Sequence, residues 1–142
     1  MNVLVKNQSG VPIELSALEL LAKFVLSREE AAAGSEVSIA LVDKEAMRAL
    51  NMRFRALDSP TDVLAFDLGD DGELFGEVVI SPQVAAEQAI EAGITGTEEV
   101  QQLLVHGLLH LVNYCHESEE DSQRMFDRQE ALIREFMDGG SV

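Results

Sequence analysis

A chain of 142 residues with 46% apolar content has the length of one ordinary domain and enough apolar side chains to build a core. A lone cysteine, Cys115, excludes an internal disulfide, no run approaches the ~18 apolar residues of a membrane span, and the first ten residues lack a secretory or transit pattern. The expectation is a soluble, cytoplasmic protein with no membrane partner. Ten Lys+Arg against 26 Asp+Glu leave a net charge of −16, with no Lys or Arg between Arg55 and Arg124, so any polyanionic substrate needs a local positive site.

Residues 1–6 alternate Val3 and Val5 against polar neighbours, as a short strand does. Val11 and Pro12 then open a helical pattern with Leu15, Leu18, Leu21 and Val25 on one face. Residues 37–42 form a second strand candidate. Asp43 is placed to cap a helix in which Met47, Leu50 and Phe54 recur at intervals of three and four, ending near Arg55. Residues 61–66 and 74–80 are rich in β-formers around the turn residues 69–72, which predicts an antiparallel hairpin. Ser81-Pro82 starts a helix that Gly93 stops, Thr97 opens the next, and Ser118 caps a last one that runs to Gly139 and Gly140. The order β-α-β-α-β-β-α-α-α predicts one α+β domain over residues 1–142, a small mixed sheet of about four strands covered by about five helices.

The chemistry concentrates at His106, His110 and His116, spaced H-x3-H-x5-H. On a helix turning 100° per residue the first two lie about 40° apart, one turn up the same stripe. Leu103, Leu104, Val105, Leu108, Leu109, Leu111 and Val112 are apolar nearly all round, marking a buried helix on which two imidazoles need partners. A metal ion accepts a lone pair from each, and Asn113, tolerant of the left-handed conformation, can turn the chain so that His116 returns to the same ion. The predicted site thus lies on a buried helix and its following turn. Three imidazoles without an obvious fourth ligand suit a catalytic zinc, with nickel, iron or manganese also compatible. The spacing matches the H-E-x-x-H-x-x-G-x-x-H peptidase pattern, but Gly107 stands where that pattern carries its general base, which disfavours a metallopeptidase-like hydrolase.

The run from His106 to His116, HGLLHLVNYCH, resembles the H-G-x-L-H-L-x-G-Y-D-H motif of the YbeY family of bacterial metal-dependent endoribonucleases. Leu50-Asn51, Phe54-Arg55, Pro60-Thr61-Asp62-Val63-Leu64 and Phe66 resemble that family's L-N-x-x-Y-R and P-T-D-V-L-S-F stretches. Gly76-Glu77-Val78-Val79-Ile80 with Pro82 resembles its G-D-I-V-I-x-P stretch. The resemblance implies hydrolysis of single-stranded RNA during ribosomal RNA maturation, with zinc on the three histidines and an arginine, here Arg55, beside it. A guanidinium suits that role because it grips a phosphate through paired hydrogen bonds. Asn113 replaces the motif's glycine, and Cys115 its aspartate, a stronger acceptor.

Lys44, Arg48, Arg53 and Arg55 form one basic cluster on the helix that ends at the arginine. With a dication it makes a local positive patch; its plainer role is helix solubility and ion pairing with Glu45. Free RNA should therefore bind weakly, which leaves room for a ribosomal particle or basic ribosomal protein as partner. A non-catalytic, metal-stabilised ribosome-assembly factor is the alternative reading, motivated by Cys115.

Overall fold

The computed structural model describes residues 1–69, 75–112, 114 and 118–140. Its elements in chain order are β1 (Asn2–Gln8), α1 (Leu15–Arg28), β2 (Glu36–Val42), α2 (Lys44–Arg55), β3 (Val63–Asp67), β4 (Phe75–Ile80), α3 (Pro82–Ala92), α4 (Gly96–Leu111) and α5 (Glu119–Glu135). This is the expected α+β architecture, with a four-stranded mixed sheet of order β1-β2-β4-β3. β1 with β2 and β2 with β4 are parallel, whereas β3 runs antiparallel to β4 as the outermost strand on its side.

Strand alternation splits the apolar residues between two faces. Val3, Val37, Ile39, Leu41, Val78 and Ile80 pack with α1 and α4 into the main core, while Val42, Leu64 and Val79 meet Met47 of α2 on the opposite face. α4 is apolar nearly all round because it contacts β3, β4, α1, α3 and α5 together. Leu104, Leu108 and Leu109 are fully buried there, each contributing about 2 kcal/mol of apolar burial.

Two glycines set how closely this helix meets the sheet. A Cβ on Gly107 would lie 2.8 Å from Val78 Cγ1, and one on Gly76 would lie 2.7 Å from Leu111 Cδ1. Both distances are shorter than packed carbon atoms tolerate, so α4 reaches this depth only because hydrogen occupies both positions.

The caps at Asp43, Ser81 and Ser118 accept from the backbone N–H of Ala46, Val84 and Asp121, and Gly93 ends α3 in the left-handed region at φ 72°, as the sequence predicts. Three boundaries differ. α1 starts at Leu15, since Asn7 and Ser9 hold residues 7–11 in a side-chain-bonded turn: Asn7 Nδ2 donates to Val11 O at 2.7 Å and Val11 N to Ser9 Oγ at 3.1 Å. α4 is capped by Thr95 rather than opened at Thr97. Only Thr95 has a glutamate three residues on, and Glu98 and Thr95 exchange two bonds of 3.0 Å in a capping box. α5 ends at Glu135, and a π-helical turn, Phe136–Gly140, follows with Gly139 at φ 91°. The turn between β3 and β4 falls largely on residues 70–74, outside the described residues.

Candidate active site at the edge of the sheet

Residues on either side of the loop between α2 and β3 carry the site. α2 ends at Arg55 because Ala56 takes the left-handed conformation, φ 57°, and its N–H closes back on Met52 O at 3.1 Å. Asn51, 2% exposed, donates from Nδ2 to Ser59 O at 2.8 Å and pins the loop to the helix. Asp62 then accepts from Val63 N at 2.8 Å, from Gln88 Nε2 at 3.2 Å and from Thr61 Oγ1 at 3.3 Å, fixing where β3 starts. These bonds hold Arg55 opposite the first residues of β3.

From the other side, α4 lays His106 and His110 on one stripe, both half-buried, with ring centroids 4.8 Å apart and planes at 77°. The stripe is therefore less enclosed than the surrounding leucines imply. A cavity of about 530 Å³ joins the two sides, lined by Arg55, Thr61, Asp62, Val63, Leu64, Ala65, Asp67, His106, Gly107, His110 and Leu111. His106 also borders a hollow of about 1020 Å³ along the first turns of α5, with Ser118, Gln123 and Phe126 in its wall.

The cavity opens along the outer side of β3, where no strand pairs among the described residues. Ser81 N donates to Asp62 O at 3.0 Å and Leu68 N to Phe75 O at 2.7 Å, so antiparallel alternation points the amides of Ala65 and Asp67 away from the sheet. Asp67 Oδ1 accepts from Gly69 N at 3.1 Å.

Of the predicted site residues, the structure brings Arg55, His106 and His110 to one cavity; His116, Asn113 and Cys115 lie outside the described residues. Two converging imidazoles are a donor pair suited to a borderline-soft cation, and among the described residues no third His, Cys, Asp or Glu joins them. The basic cluster divides: Lys44 pairs with Glu87, and Arg48 with Asp58 at 2.7 Å, rather than either with Glu45. Each of those two partners shifts the other, the Arg48 guanidinium upward and the Asp58 carboxyl downward, chiefly through their hydrogen bond.

Asp62 and Asp67 in the cavity wall had no assigned role in the sequence, although Asp62 stood within a motif. Their placement follows from β3 being an edge strand, which local alternation does not reveal. Phe54, in the recurring apolar pattern of α2, is 54% exposed and packs on Phe66, because the last turn of α2 lies over the edge strand and no further strand among the described residues covers it.

The profile of the endoribonuclease YbeY family matches residues 4–137. This chain belongs to that family. Among YbeY relatives, the Cutibacterium acnes endoribonuclease YbeY is 40% identical over 139 residues, covering 91% of this chain and 90% of its own. That of Geobacillus thermodenitrificans is 38% identical over 135 residues, covering 87% and 86%. The solution structure of TM1509 from Thermotoga maritima superposes with a TM-score of 0.70 at 28% identity, spanning 98% of this chain and 94% of that one. Within the described residues no helix is long and apolar enough to cross a membrane.

Proposed function

We propose that this chain is a zinc-dependent endoribonuclease that hydrolyses phosphodiester bonds of single-stranded RNA and acts in ribosomal RNA maturation. The observation that carries the reading is the convergence of Arg55, His106 and His110 on one open cavity in a member of the YbeY family. His106 and His110 would hold the ion together with His116. Bound there, zinc supplies Lewis-acid charge that lowers the pKa of water and offsets negative charge on a phosphate.

The chain's own residues do the rest. Arg55, facing the histidines across the cavity, would grip a non-bridging phosphate oxygen pair and offset charge as it develops. Half-burial of the imidazoles leaves both reachable from the open cavity. Gly107 bears on the peptidase alternative: its Cβ position points at Val78, so no side chain there reaches the histidines to act as a general base. The non-catalytic assembly factor remains the second reading, favoured by Cys115 where the motif carries aspartate.

One experiment separates these. Arg55→Ala should lower cleavage of single-stranded ribosomal RNA fragments about 100-fold or more while leaving metal content unchanged. Elemental analysis should find about one zinc per chain in the wild type and strong depletion in His110→Ala. A wild-type chain with full zinc that cuts no RNA, or an Arg55→Ala chain that still supports ribosomal RNA processing in cells, would count for the scaffold and against the nuclease.

A further inference from the structure

The chemistry above leaves unexplained why α2 ends in an exposed aromatic ring. Phe54 keeps 54% of its surface accessible, so core packing does not demand an aromatic there. Its ring packs on Phe66 with centroids 5.0 Å apart and planes at 60°, and the Arg53 guanidinium lies over it, 5.3 Å from the centroid. Neither ring lines the cavity: Phe66 lies on the α2 face of β3, opposite Ala65 and Asp67, and the pair adjoins the cavity through Arg55, the residue after Phe54, which lines it.

Charge completes the picture. Lys44 and Arg48 are neutralised by Glu87 and Asp58, whereas among the described residues neither Arg53 nor Arg55 makes an ion pair. A chain of net charge −16 thus keeps two uncompensated guanidiniums beside an accessible ring at one end of one helix. A flat apolar face flanked by guanidiniums complements a nucleotide, which joins a flat π face to a phosphate.

We infer that Phe54, backed by Phe66, is a stacking platform for one unpaired base of single-stranded RNA, with Arg53 and Arg55 holding phosphates on either side of it. This rests on RNA being the substrate, as proposed above. The base takes the ring face that the Arg53 guanidinium now covers, and the displaced guanidinium turns to the adjoining phosphate. A duplex has no free base face to offer, so the platform selects for single strands.

The chain contains no tryptophan, so Phe54→Trp places a lone indole at the platform. In the zinc-loaded chain, mixed by stopped flow and read before turnover, a short single-stranded adenosine oligonucleotide should quench the indole emission. A ribose-phosphate oligomer of equal length without bases should bind more weakly, by fluorescence anisotropy of an end label, and should not quench. Phe54→Leu, which keeps an apolar contact to Phe66 but no π face, should raise KM for single-stranded RNA roughly tenfold, more than it lowers kcat, and Phe54→Trp should restore KM. Binding of the oligonucleotide without quenching, or equal affinity for the baseless oligomer, overturns the platform and leaves RNA as substrate. Absence of binding by any RNA overturns both.

Discussion

Glu99, in the first turn of α4, is pushed in one direction by two neighbours. Partial burial raises its carboxyl pKa most, and the negative charge of Asp62 raises it further, together outweighing the favourable helix N-terminus. The folded chain therefore binds this proton more tightly than the unfolded chain. Its contribution to stability is fully present below the ordinary glutamate pKa and is lost as pH rises through the raised folded value. Glu99→Gln should accordingly raise the unfolding temperature at pH 7 and leave it little changed near pH 4, measured by thermal unfolding at both; a larger gain at the acid end would contradict the argument. Arg55 presents the opposite case, a side chain whose worth lies in what it leaves unpaired. Its neighbour Ala56 adopts φ 57° without being glycine, a local cost of about 1 kcal/mol that stops the helix at the arginine.

At the scale of elements, the depth of α4 against the sheet decides where the imidazoles stand. Gly107→Ala forces a methyl to within 2.8 Å of Val78 Cγ1 and should destabilise the chain by about 1–3 kcal/mol, read from the urea midpoint. Adding Val78→Ala opens the space and should recover part of that loss, whereas simple additivity of the two costs would show that the contact is not the cause. Such contacts explain what the sequence discloses. Strand alternation and capping residues announce the elements and even the caps at Asp43, Ser81 and Ser118, because those signals are local. The histidine stripe is equally local, one turn of one helix. By contrast, the start of α1 depends on side-chain bonds of Asn7 and Ser9, and the exposure of Phe54 depends on β3 being outermost. Neither can be read without the tertiary arrangement, and the same holds for Asp62 and Asp67 in the cavity wall.

For the whole molecule, the charge of −16 and a polyanionic substrate pull in opposite directions. Repulsion from distant carboxylates acts over a Debye length of about 10 Å or more at low salt, while Arg53, Arg55 and the ion proposed above would act at contact. The field should thus slow RNA encounter more than it weakens the chemistry. Glu14 and Glu30, exposed residues flanking the α1 helix that packs on β1, lie toward the β1 edge of the sheet, opposite the β3 edge that lines the cavity. Neutralising both to glutamine should speed RNA association in low salt and leave kcat alone, an advantage that fades at physiological ionic strength; stopped-flow mixing with labelled RNA at two salt concentrations checks it. The open side of β3 has a further consequence. Outward amides such as those of Ala65 and Asp67 invite a strand from another copy, and a fifth strand there would shut the mouth of the cavity. A five-residue strand with Asp62 before it and Asp67 at its end is a poor template for such pairing, since two copies would bring like charges together. Asp62 and Asp67, ill-suited to a cavity proposed to take RNA, thus disfavour its closure by a second copy of the chain.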